Sequence, residues 1–447
     1  MPSRLVTTRL WNLSHSTIQL VPSGRHVPAQ VMPALQPITH PQRIAFLLPN
    51  LGGGGVQRNT LITASALHSR GYPVELVLCS EKGPLFQKMP DAITRTILNK
   101  TPGWLGRWQA LRGNLSMLPA LALPVLTTGK PSKTLRFLPA LADYLRRSEP
   151  DVLFAATTYQ NIEAVLARNA ARVKTRVVVT QSTNFSSWHR VSREWRRRHL
   201  LPLLRHSYHD ADAVIAVSSA VADDLASYAR IDRDAISTIY TPLVPENIDE
   251  LTADSLDHPW FQDNDIPVML AVGRPGRAKD YPTLLRAFAL VHKKRRARLI
   301  ILGEARDPHK NQERMGEFQA LISELGISED VDMPGYTHNP YRYMARASVL
   351  ILSSVYEGFP SVVPEALACG CPVVSTRCPG GVSEALDNGR YGRLVDVGDD
   401  RAMAEAINAT LDESPITGEL VERGASFSVR RSTDAYEALV ASLTVPN

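Results

Sequence analysis

Short apolar runs recur along the chain from residue 43 onward, and stretches with helical periodicity separate them. Runs of this length without a helical period are typical of strands that are buried on both faces, as in parallel sheets. The first series predicts strands at 43–49, 73–78, 151–156, 175–180 and 213–217. A glycine-rich loop and a helical pattern that ends at Gly71 separate the first two runs, which predicts a βαβ unit.

A second series starts after residues 240–246, which contain two prolines and no period and are interpreted as a linker. It predicts strands at 268–272, 298–302, 349–352 and 372–375, and helices at 283–292, 315–325 and 363–368. Two consecutive α/β series predict two Rossmann-like domains with parallel sheets that face each other across a cleft. In such folds ligands bind at the carboxyl ends of the strands.

Composition narrows the class of protein. The 447 residues are 44% hydrophobic and 21% charged, which excludes a wholly disordered chain, a collagen and a coiled coil. The net charge of +6 is too small for a nucleic-acid binder, although it suits phosphate-bearing ligands or an anionic membrane face. Four cysteines indicate a reducing compartment, and the longest uncharged run, 113–129, is too short to span a membrane.

Two segments place candidate anion-binding groups after predicted strands. Gly52 to Gly55 lie between a strand and a helix, where backbone N–H groups can approach an anion without a Cβ in the way. A plain tight turn is the alternative. Arg274, Arg277 and Lys279 follow another strand directly before a helix, a position suited to clamping a diphosphate. Three solvated surface cations are the alternative.

The most informative segment is EGFPSVVPEALACGCPVV, residues 357–374. Glu357 falls in the loop after a predicted strand and Glu365 in the following helix, eight residues further on. Two carboxylates at this spacing could bond hydroxyl groups at opposite ends of one extended ligand. Glu405 and Glu413 repeat the spacing within an ordinary helical stretch, so only the loop-and-helix context favours Glu357 and Glu365.

Other signals are weaker. Asp210 and Asp212 precede a predicted strand instead of following one, so we do not predict the metal-binding role that aspartates have in some nucleotide-sugar enzymes. Cys369, Cys371 and Cys378 lack a fourth ligand or a histidine pair, which favours packed thiols over a zinc site.

Residues 188–206 carry six arginines against one glutamate, with tryptophan and leucine interleaved. This pattern suits a helix lying on an anionic membrane, and equally a solvated face over a stripe of core leucines. We expect a cytoplasmic protein, and one that is peripheral on the inner face of the membrane if the first alternative holds.

Together these motifs resemble the family-four, retaining glycosyltransferases of the GT-B fold, which take a sugar from a nucleotide-sugar donor. The resemblance covers roughly residues 43 to 440 and is strongest at 357–374, which is similar to the family's E-x7-E signature. Residues 272–289 resemble the stretch with a diphosphate-binding arginine and lysine, 48–58 the N-terminal glycine loop, and 211–225 the last element before the linker.

The resemblance implies a role for each matching residue. Glu357 would bond hexose hydroxyls and Glu365 the ribose hydroxyls, while Arg274 and Lys279 would neutralise the diphosphate. The backbone of Phe359, Pro360 and Ser361 would contact the sugar and phosphate, and Gly54 and Gly55 would lie across the cleft near the phosphate or the acceptor. Fixed cations beside a nucleoside diphosphate leaving group lower the barrier, so no metal or other cofactor is expected.

The resemblance also implies the domain organisation, apart from the first 40 residues. By their composition, residues 1–40, which contain no Asp or Glu, would be a disordered leader, with an organellar transit peptide as the alternative. Residues 41–240 would form the acceptor domain and 248–424 the donor domain, and 425–447 a helix that crosses back to the N-terminal domain. The partners would be a nucleotide-sugar donor, most simply a UDP-sugar, and a glycan or lipid-linked acceptor, and not nucleic acid.

One departure keeps other functions open. Many relatives have a histidine where this chain has Ala156 and Thr157, and another near Gln181. A sugar-nucleotide epimerase or hydrolase of the same fold is one alternative, and a non-catalytic nucleotide-sugar binding protein is the other.

Overall fold

Parallel strands form two sheets in the computed structural model, which describes residues 41–115, 118–121, 134–191, 200–262, 265–304, 308–413 and 416–444. The first sheet contains β1 (Ile44–Leu48), β2 (Val74–Leu78), β3 (Thr94–Ile97), β4 (Val152–Ala155), β5 (Arg176–Gln181), β6 (Ala213–Ala216) and β7 (Ile236–Thr238). The second contains β8 (Val268–Val272), β9 (Arg298–Leu302), β10 (Val331–Gly335), β11 (Val349–Leu352), β12 (Val373–Thr376) and β13 (Arg393–Val395). The predicted leader, residues 1–40, lies outside the described residues.

Helices connect the strands and cover the sheets. Those before β8 are α1 (Gly55–Ser69), α2 (Gly103–Gly113), α3 (Leu118–Leu121), α4 (Leu138–Ser148), α5 (Thr158–Ala171), α6 (Phe185–Val191), α7 (Leu200–His209), α8 (Ser219–Ala229) and α9 (Ile248–Ala253). Those after β8 are α10 (Tyr281–His292), α11 (Pro308–Glu324), α12 (Tyr341–Met344), α13 (Val362–Ala368), α14 (Val382–Ala385), α15 (Asp400–Asp412), α16 (Thr417–Ala425) and α17 (Val429–Thr444). No helix in the described parts of the chain has both the length and the apolar character needed to cross a membrane.

The strand order creates a crevice in each sheet. The described strands run β3-β2-β1-β4-β5-β6-β7 in the first sheet and β10-β9-β8-β11-β12-β13 in the second, with parallel pairing throughout. The chain leaves the central neighbours β1 and β4, and likewise β8 and β11, in opposite directions. The loops after these strands therefore diverge and leave room for a ligand at the carboxyl ends. The predicted fold of two Rossmann-like domains with parallel sheets is confirmed.

The apolar run of β1 shows why continuous hydrophobicity predicts a central strand here. Its alternate residues Ile44, Phe46 and Leu48 pack in one core cluster, and Ala45 and Leu47 pack in the cluster on the opposite face. All five side chains are buried, because helices cover both faces of the sheet.

The C-terminal helix α17 returns to the N-terminal domain, as the fold prediction required. The Tyr436 ring is buried and lies 5.5 Å from that of Phe154 on β4. At the surface, Arg70 beyond the end of α1 pairs with Asp434 at 2.7 Å and with Glu437. The helix thus joins the first domain's core through apolar packing and an ion-pair cluster.

The two crossings between the domains lie side by side. The N–H groups of Leu243 and Val244, in the linker, both donate to the Phe427 carbonyl at 3.3 Å. The Val429 N–H in turn donates to the Val244 carbonyl at 2.9 Å. The linker and the chain before α17 therefore form one paired hinge segment beside the cleft.

Candidate active site

Lys279 and Glu357 meet at the crevice of the second sheet. Lys279 lies on the loop after β8 and Glu357 on the loop after β11, and these strands are neighbours. Lys279 Nζ is 2.8 Å from Glu357 Oε1, and the Ser354 hydroxyl donates to the same oxygen at 2.7 Å. An ammonium has three donors, so Lys279 can hold Glu357 and still offer a hydrogen bond to a phosphate.

Close backbone packing fixes the loop that carries Glu357. The Glu357 N–H donates to the Pro379 carbonyl at 2.9 Å. At Gly380, which has φ +120°, a Cβ would lie 1.8 Å from the Glu357 carbonyl oxygen. At Gly358 a Cβ would lie 2.1 Å from the carbonyl oxygen of Ser182, in the N-terminal domain. The loop is therefore held by main-chain contacts from both domains, which leave no room for side chains at these glycines.

Phe359, Pro360 and Ser361 continue this loop into α13. The buried Phe359 ring lies 5.2 Å from the rings of both Tyr240 and Phe427, on the paired hinge segment. Its side chain therefore anchors the loop, and only its backbone is free to serve a ligand as predicted. Pro360 is buried, and the half-buried Ser361 occupies the cap position directly before α13.

Glu365 lies in α13 and contacts the opposite domain. Arg58, in the first turn of α1, donates from Nη1 to Glu365 Oε1 at 2.9 Å. The other nitrogen, Nη2, donates to the Tyr341 hydroxyl at 3.0 Å, and that hydroxyl donates to Glu365 Oε1 at 3.3 Å. The Glu365 side chain is 2% exposed, so this pairing supplies the charge compensation that a buried carboxylate requires.

Burial and the guanidinium act on Glu365 in opposite directions. Burial is the larger effect and leaves the pKa of the carboxyl above its ordinary value, although the charge and hydrogen bond of Arg58 lower it. The same attraction raises the pKa of Arg58 above its ordinary value. We infer an ion pair, because a guanidinium is not deprotonated in proteins and stands at hydrogen-bond distance.

The other predicted residues border the same crevices. Arg274 is exposed on the loop after β8. Gly54 is the N-cap of α1 and Gly55 its first residue, and a Cβ at Gly55 would meet open space. The glycine loop follows β1, so it lies at the crevice of the first sheet. The structure thus groups Lys279 with Glu357, and the start of α1 with Glu365.

The positions without histidine are occupied by packing contacts. Gln181 accepts a hydrogen bond from the buried Tyr208 hydroxyl at 2.8 Å, and the next residue, Ser182, lies against Gly358. Thr157 bonds to Gln160 in the first turn of α5. Gln181 is buried, and none of these side chains offers an imidazole.

Four residues that contact the predicted site residues or join the domains beside them were not predicted from the sequence: Arg58, Tyr341, Ser354 and Glu384. Glu384, before the end of α14, accepts from the Ser219 N–H at 2.9 Å and from the Tyr240 hydroxyl at 2.5 Å. It therefore caps α8 from across the cleft, where a carboxylate is favourable. Arg58 belongs to the glycine-loop motif, but its partner Glu365 is 307 positions away, and no local pattern indicates the pairing.

The residues behind the weaker sequence signals form ion pairs, lie exposed on a helix or are packed in the protein interior. Asp210 and Asp212 pair with Arg168 at 3.2 and 2.8 Å, at the amino end of β6 and away from the crevice. Glu405 is exposed on α15, and Glu413 pairs with Arg393 at 2.6 Å. Among the cysteines, Cys371 and Cys378 are buried and Cys369 is half-buried.

Only part of the basic stretch 188–206 is described. Leu203 and Leu204 are buried in the core of the N-terminal domain. Arg190 donates to the Ser187 hydroxyl at 3.4 Å, and Arg205 to the Tyr228 carbonyl at 3.1 Å. These four side chains match the core-packing alternative, and residues 192–199 lie outside the described parts of the chain.

Comparison with known proteins finds two family models, one in each domain. The model of "Glycosyltransferase Family 4" matches residues 53–247, and that of "Glycosyl transferases group 1" matches residues 255–426. A Campylobacter jejuni relative, N-acetylgalactosamine-N,N'-diacetylbacillosaminyl-diphospho-undecaprenol 4-alpha-N-acetylgalactosaminyltransferase, is 27% identical over 84% of this chain and 92% of its own length.

Solved structures share the fold. Sucrose-phosphate synthase from Thermosynechococcus elongatus aligns with a TM-score of 0.72 at 19% identity, over 90% of this chain and 99% of that one. Anabaena HepE in complex with UDP-glucose aligns with a TM-score of 0.70 at 20% identity, over 90% of this chain and 100% of that one.

Two Rossmann-like domains, with cations and carboxylates paired at the crevice between them, are the architecture of the GT-B fold. The two family models, on consecutive parts of the chain, identify the family. The chain belongs to the family-four, group 1 glycosyltransferases.

Proposed function

We propose that the protein transfers a hexose from a UDP-sugar to a hydroxyl group of a lipid-linked glycan, with retention at the anomeric carbon. The observation that carries this proposal is the pairing of each motif carboxylate with a cation, Glu357 with Lys279 and Glu365 with Arg58, at the edges of facing crevices. The choice of UDP as the nucleotide is supported by the UDP-glucose complex of the structural neighbour. The choice of acceptor class is supported by the diphospho-undecaprenol in the name of the Campylobacter relative.

Each site residue has a physical role in this proposal. Glu357 accepts hydrogen bonds from hexose hydroxyls, and Glu365 accepts them from the ribose. Arg274, Lys279 and the N–H groups at Gly54 and Gly55 stabilise the diphosphate as negative charge grows on the leaving oxygen. A phosphate oxygen of the donor removes the proton of the acceptor hydroxyl on the face that the nucleotide leaves, which gives retention.

We also propose that no metal ion takes part, because Arg274 and Lys279 supply the positive charge at the leaving group. Replacing either by Ala should cost about 2–4 kcal/mol of transition-state stabilisation, by analogy with the loss of one oxyanion donor. Turnover should persist in a chelator. Full loss in chelator with recovery on adding magnesium or manganese would contradict this part of the proposal.

A membrane-facing surface belongs to the same proposal, since a lipid-linked acceptor lies at a bilayer. The support comes from α2, where Trp104 is 70% and Trp108 49% exposed, with the Arg112 guanidinium 4.9 Å from the Trp108 ring centre. Arg107 lies on the same helix, and along the sequence the stretch 92–142 contains seven Lys or Arg and no Asp or Glu. Exposed tryptophan beside clustered cations is typical of surfaces that contact anionic lipid.

The transfer assay uses the full chain, labelled nucleotide sugars and polyprenyl-diphosphate-linked glycans. We expect UDP release that depends on the acceptor and a product with the α-configuration of the donor retained. Donor hydrolysis or epimerisation that is indifferent to every acceptor would favour the epimerase or hydrolase alternative. Binding without any turnover would favour the non-catalytic one.

A further inference from the structure

The charge state of Glu365 depends on one residue of the opposite domain. Among the described residues, three titratable groups face the buried carboxyl: Arg58 from α1, Tyr341 from α12, and Cys369 at the C-cap of α13. Burial raises the pKa of Cys369 to about 12 and also raises that of Tyr341, so both are neutral at physiological pH. Of the three groups, Arg58 therefore supplies the charge that keeps Glu365 ionised.

The geometry orients the carboxylate as well as compensating it. Arg58 donates to Glu365 Oε1 and to the Tyr341 hydroxyl with separate nitrogens, so guanidinium, phenol and carboxylate form a closed triangle with edges of 2.9, 3.0 and 3.3 Å. A planar guanidinium fixes such an arrangement better than a single ammonium can. Both hydrogen bonds from described side chains go to Oε1, which lets Oε2 accept from a ligand hydroxyl.

The backbone delivers Arg58 from the glycine loop. The Arg58 N–H donates to the Gly54 carbonyl at 2.9 Å and closes the first turn of α1. The Arg58 side chain is 39% exposed whereas its partner is 2% exposed, so the pair lies at the edge of the crevice and not deep in a core. Arg58, which faces Glu365, therefore lies in the same turn as Gly54 and Gly55, which are proposed to face the diphosphate.

We propose that Arg58 is a positioning residue for donor binding: it holds Glu365 ionised and aimed at the ribose, so that the acceptor-side domain contributes to donor affinity. This inference rests on the proposed ribose contact of Glu365. It assigns Arg58 a function that acts through Glu365, without a contact of its own to the reacting sugar.

The test is the pH dependence of donor affinity in Arg58→Gln. Without the guanidinium, burial acts unopposed on Glu365, so the carboxyl takes up a proton as pH falls and loses an acceptor for the ribose hydroxyls. We expect the wild-type affinity for UDP-glucose, measured by calorimetry, to vary less between about pH 5.5 and pH 8.5 than that of the variant, because Arg58 opposes the effect of burial. Arg58→Gln should lose about tenfold at the low end and recover toward the high end.

Two further variants separate positioning from simple loss of structure. Arg58→Lys retains the charge and should keep the wild-type pH profile, although it gives up the bond to Tyr341. In Arg58→Gln/Glu365→Gln the titrating group is gone, so affinity should be low and independent of pH. Arg70→Gln is the matched control, because Arg70 lies just beyond the same helix and pairs only with α17 residues in the described contacts. It should lower thermal stability and leave the pH profile of binding unchanged.

The outcomes are distinguishable from failure of the proposed function. A wild-type pH profile in Arg58→Gln, or the same pH dependence in the double variant as in Arg58→Gln, overturns the positioning role and leaves the transferase proposal standing. Unchanged affinity in Glu365→Gln overturns the ribose contact and this inference with it. Absence of UDP-glucose binding by the folded wild type overturns the donor assignment on which both rest.

Discussion

At the scale of single residues, the two motif carboxylates have different surroundings, so replacing each should affect a different kinetic constant. Glu357 is 17% exposed beside Lys279, near the proposed reacting sugar, whereas Glu365 is 2% exposed and held by Arg58. We expect Glu357→Gln to lower kcat, because a contact that strengthens in the transition state is lost. Glu365→Gln should mainly raise the KM for donor, since the ribose does not change during transfer. Steady-state kinetics against donor concentration separate the two.

Glu405→Gln is the internal control for this pair. Glu405 shares the eight-residue spacing with Glu413, but it is exposed on α15. Its replacement should leave both constants unchanged. Wild-type kinetics in both Glu357→Gln and Glu365→Gln would mean that the site is assigned to the wrong residues.

A second residue-scale prediction concerns Glu163, buried in α5 of the N-terminal domain. It is 1% exposed, neither carboxyl oxygen has a hydrogen-bond partner among the described residues, and burial raises its pKa well above the usual value. The folded state therefore keeps the proton, while the unfolded chain releases it as pH rises past about 4.5. From this group, the free energy of unfolding is highest at low pH and falls as pH rises toward the folded-state pKa.

Glu163→Met removes the titrating carboxyl, and with it the loss of stability at high pH, and it keeps a side chain of similar length. We expect the variant to raise the free energy of unfolding at pH 8 by roughly 1–2 kcal/mol and to have a smaller effect at pH 5, as measured by urea denaturation. Equal changes at both pH values would show that packing and not ionisation governs the site.

The residues of the site illustrate what local patterns can predict. Glu357, Lys279 and the glycine loop were predictable because each follows a strand, and strand ends are visible in the apolar pattern. Arg58 was not assigned a role, because its chemistry depends on a partner 307 positions away. In the sequence, Arg58 cannot be distinguished from a surface arginine, because only the fold brings the buried carboxylate of Glu365 next to it.

At the scale of elements, the central strands were predictable and the edge strands were not. β1, β8 and β11 are buried on both faces and therefore appear as continuous apolar runs. β3, with the sequence TRTI, has three polar residues in a row and two exposed residues, and β10 contains Pro334 and Gly335. Both lie at sheet edges, where proline and polar side chains are tolerated, so their pattern resembles that of loops.

The loop that carries Glu357 gives the element-scale prediction. A Cβ at Gly358 would lie 2.1 Å from the Ser182 carbonyl oxygen, and a main-chain atom cannot yield as a flexible side chain can. We expect Gly358→Ala to push the loop away from the N-terminal domain, with a loss of about 1–3 kcal/mol in stability and a drop in kcat. Thermal denaturation and the transfer assay measure the two effects.

Gly316→Ala is the matched control for this substitution. Gly316 lies within α11, and a Cβ there would meet no atom within 4 Å. Alanine should stabilise that helix by up to about 1 kcal/mol and leave kcat unchanged. Unaltered stability and kcat in Gly358→Ala would show that the two domains can separate at this contact without consequence.

At the scale of the whole molecule, the contacts between domains are distributed around the cleft. Arg58 bonds to Glu365 on one side, and Glu384 caps α8 on another. The paired hinge segment, with Phe359 packed against Tyr240 and Phe427, lies beside them. Because Phe359 and Glu365 belong to the same motif as Glu357, the segment proposed to bind donor is also one that joins the domains. The proposed function therefore predicts that donor binding and the relative placement of the domains are coupled through a few residues.

The last prediction concerns how the whole molecule meets its acceptor. The described basic and aromatic surface of α2 lies in the N-terminal domain, and each cation near an anionic bilayer can add about 1 kcal/mol. We expect flotation with anionic vesicles that weakens as salt rises, because the attraction is screened. Replacing Trp104 and Trp108 by Ser should reduce recovery, and so should replacing Arg196, Arg197 and Arg198 by Ser if the stretch 188–206 contributes. Tyr336→Ser, which removes a 62% exposed aromatic from the other domain, should have no effect. Equal recovery with neutral and anionic lipid, or none with either, would remove the membrane surface from the proposed function and leave the transferase assignment intact.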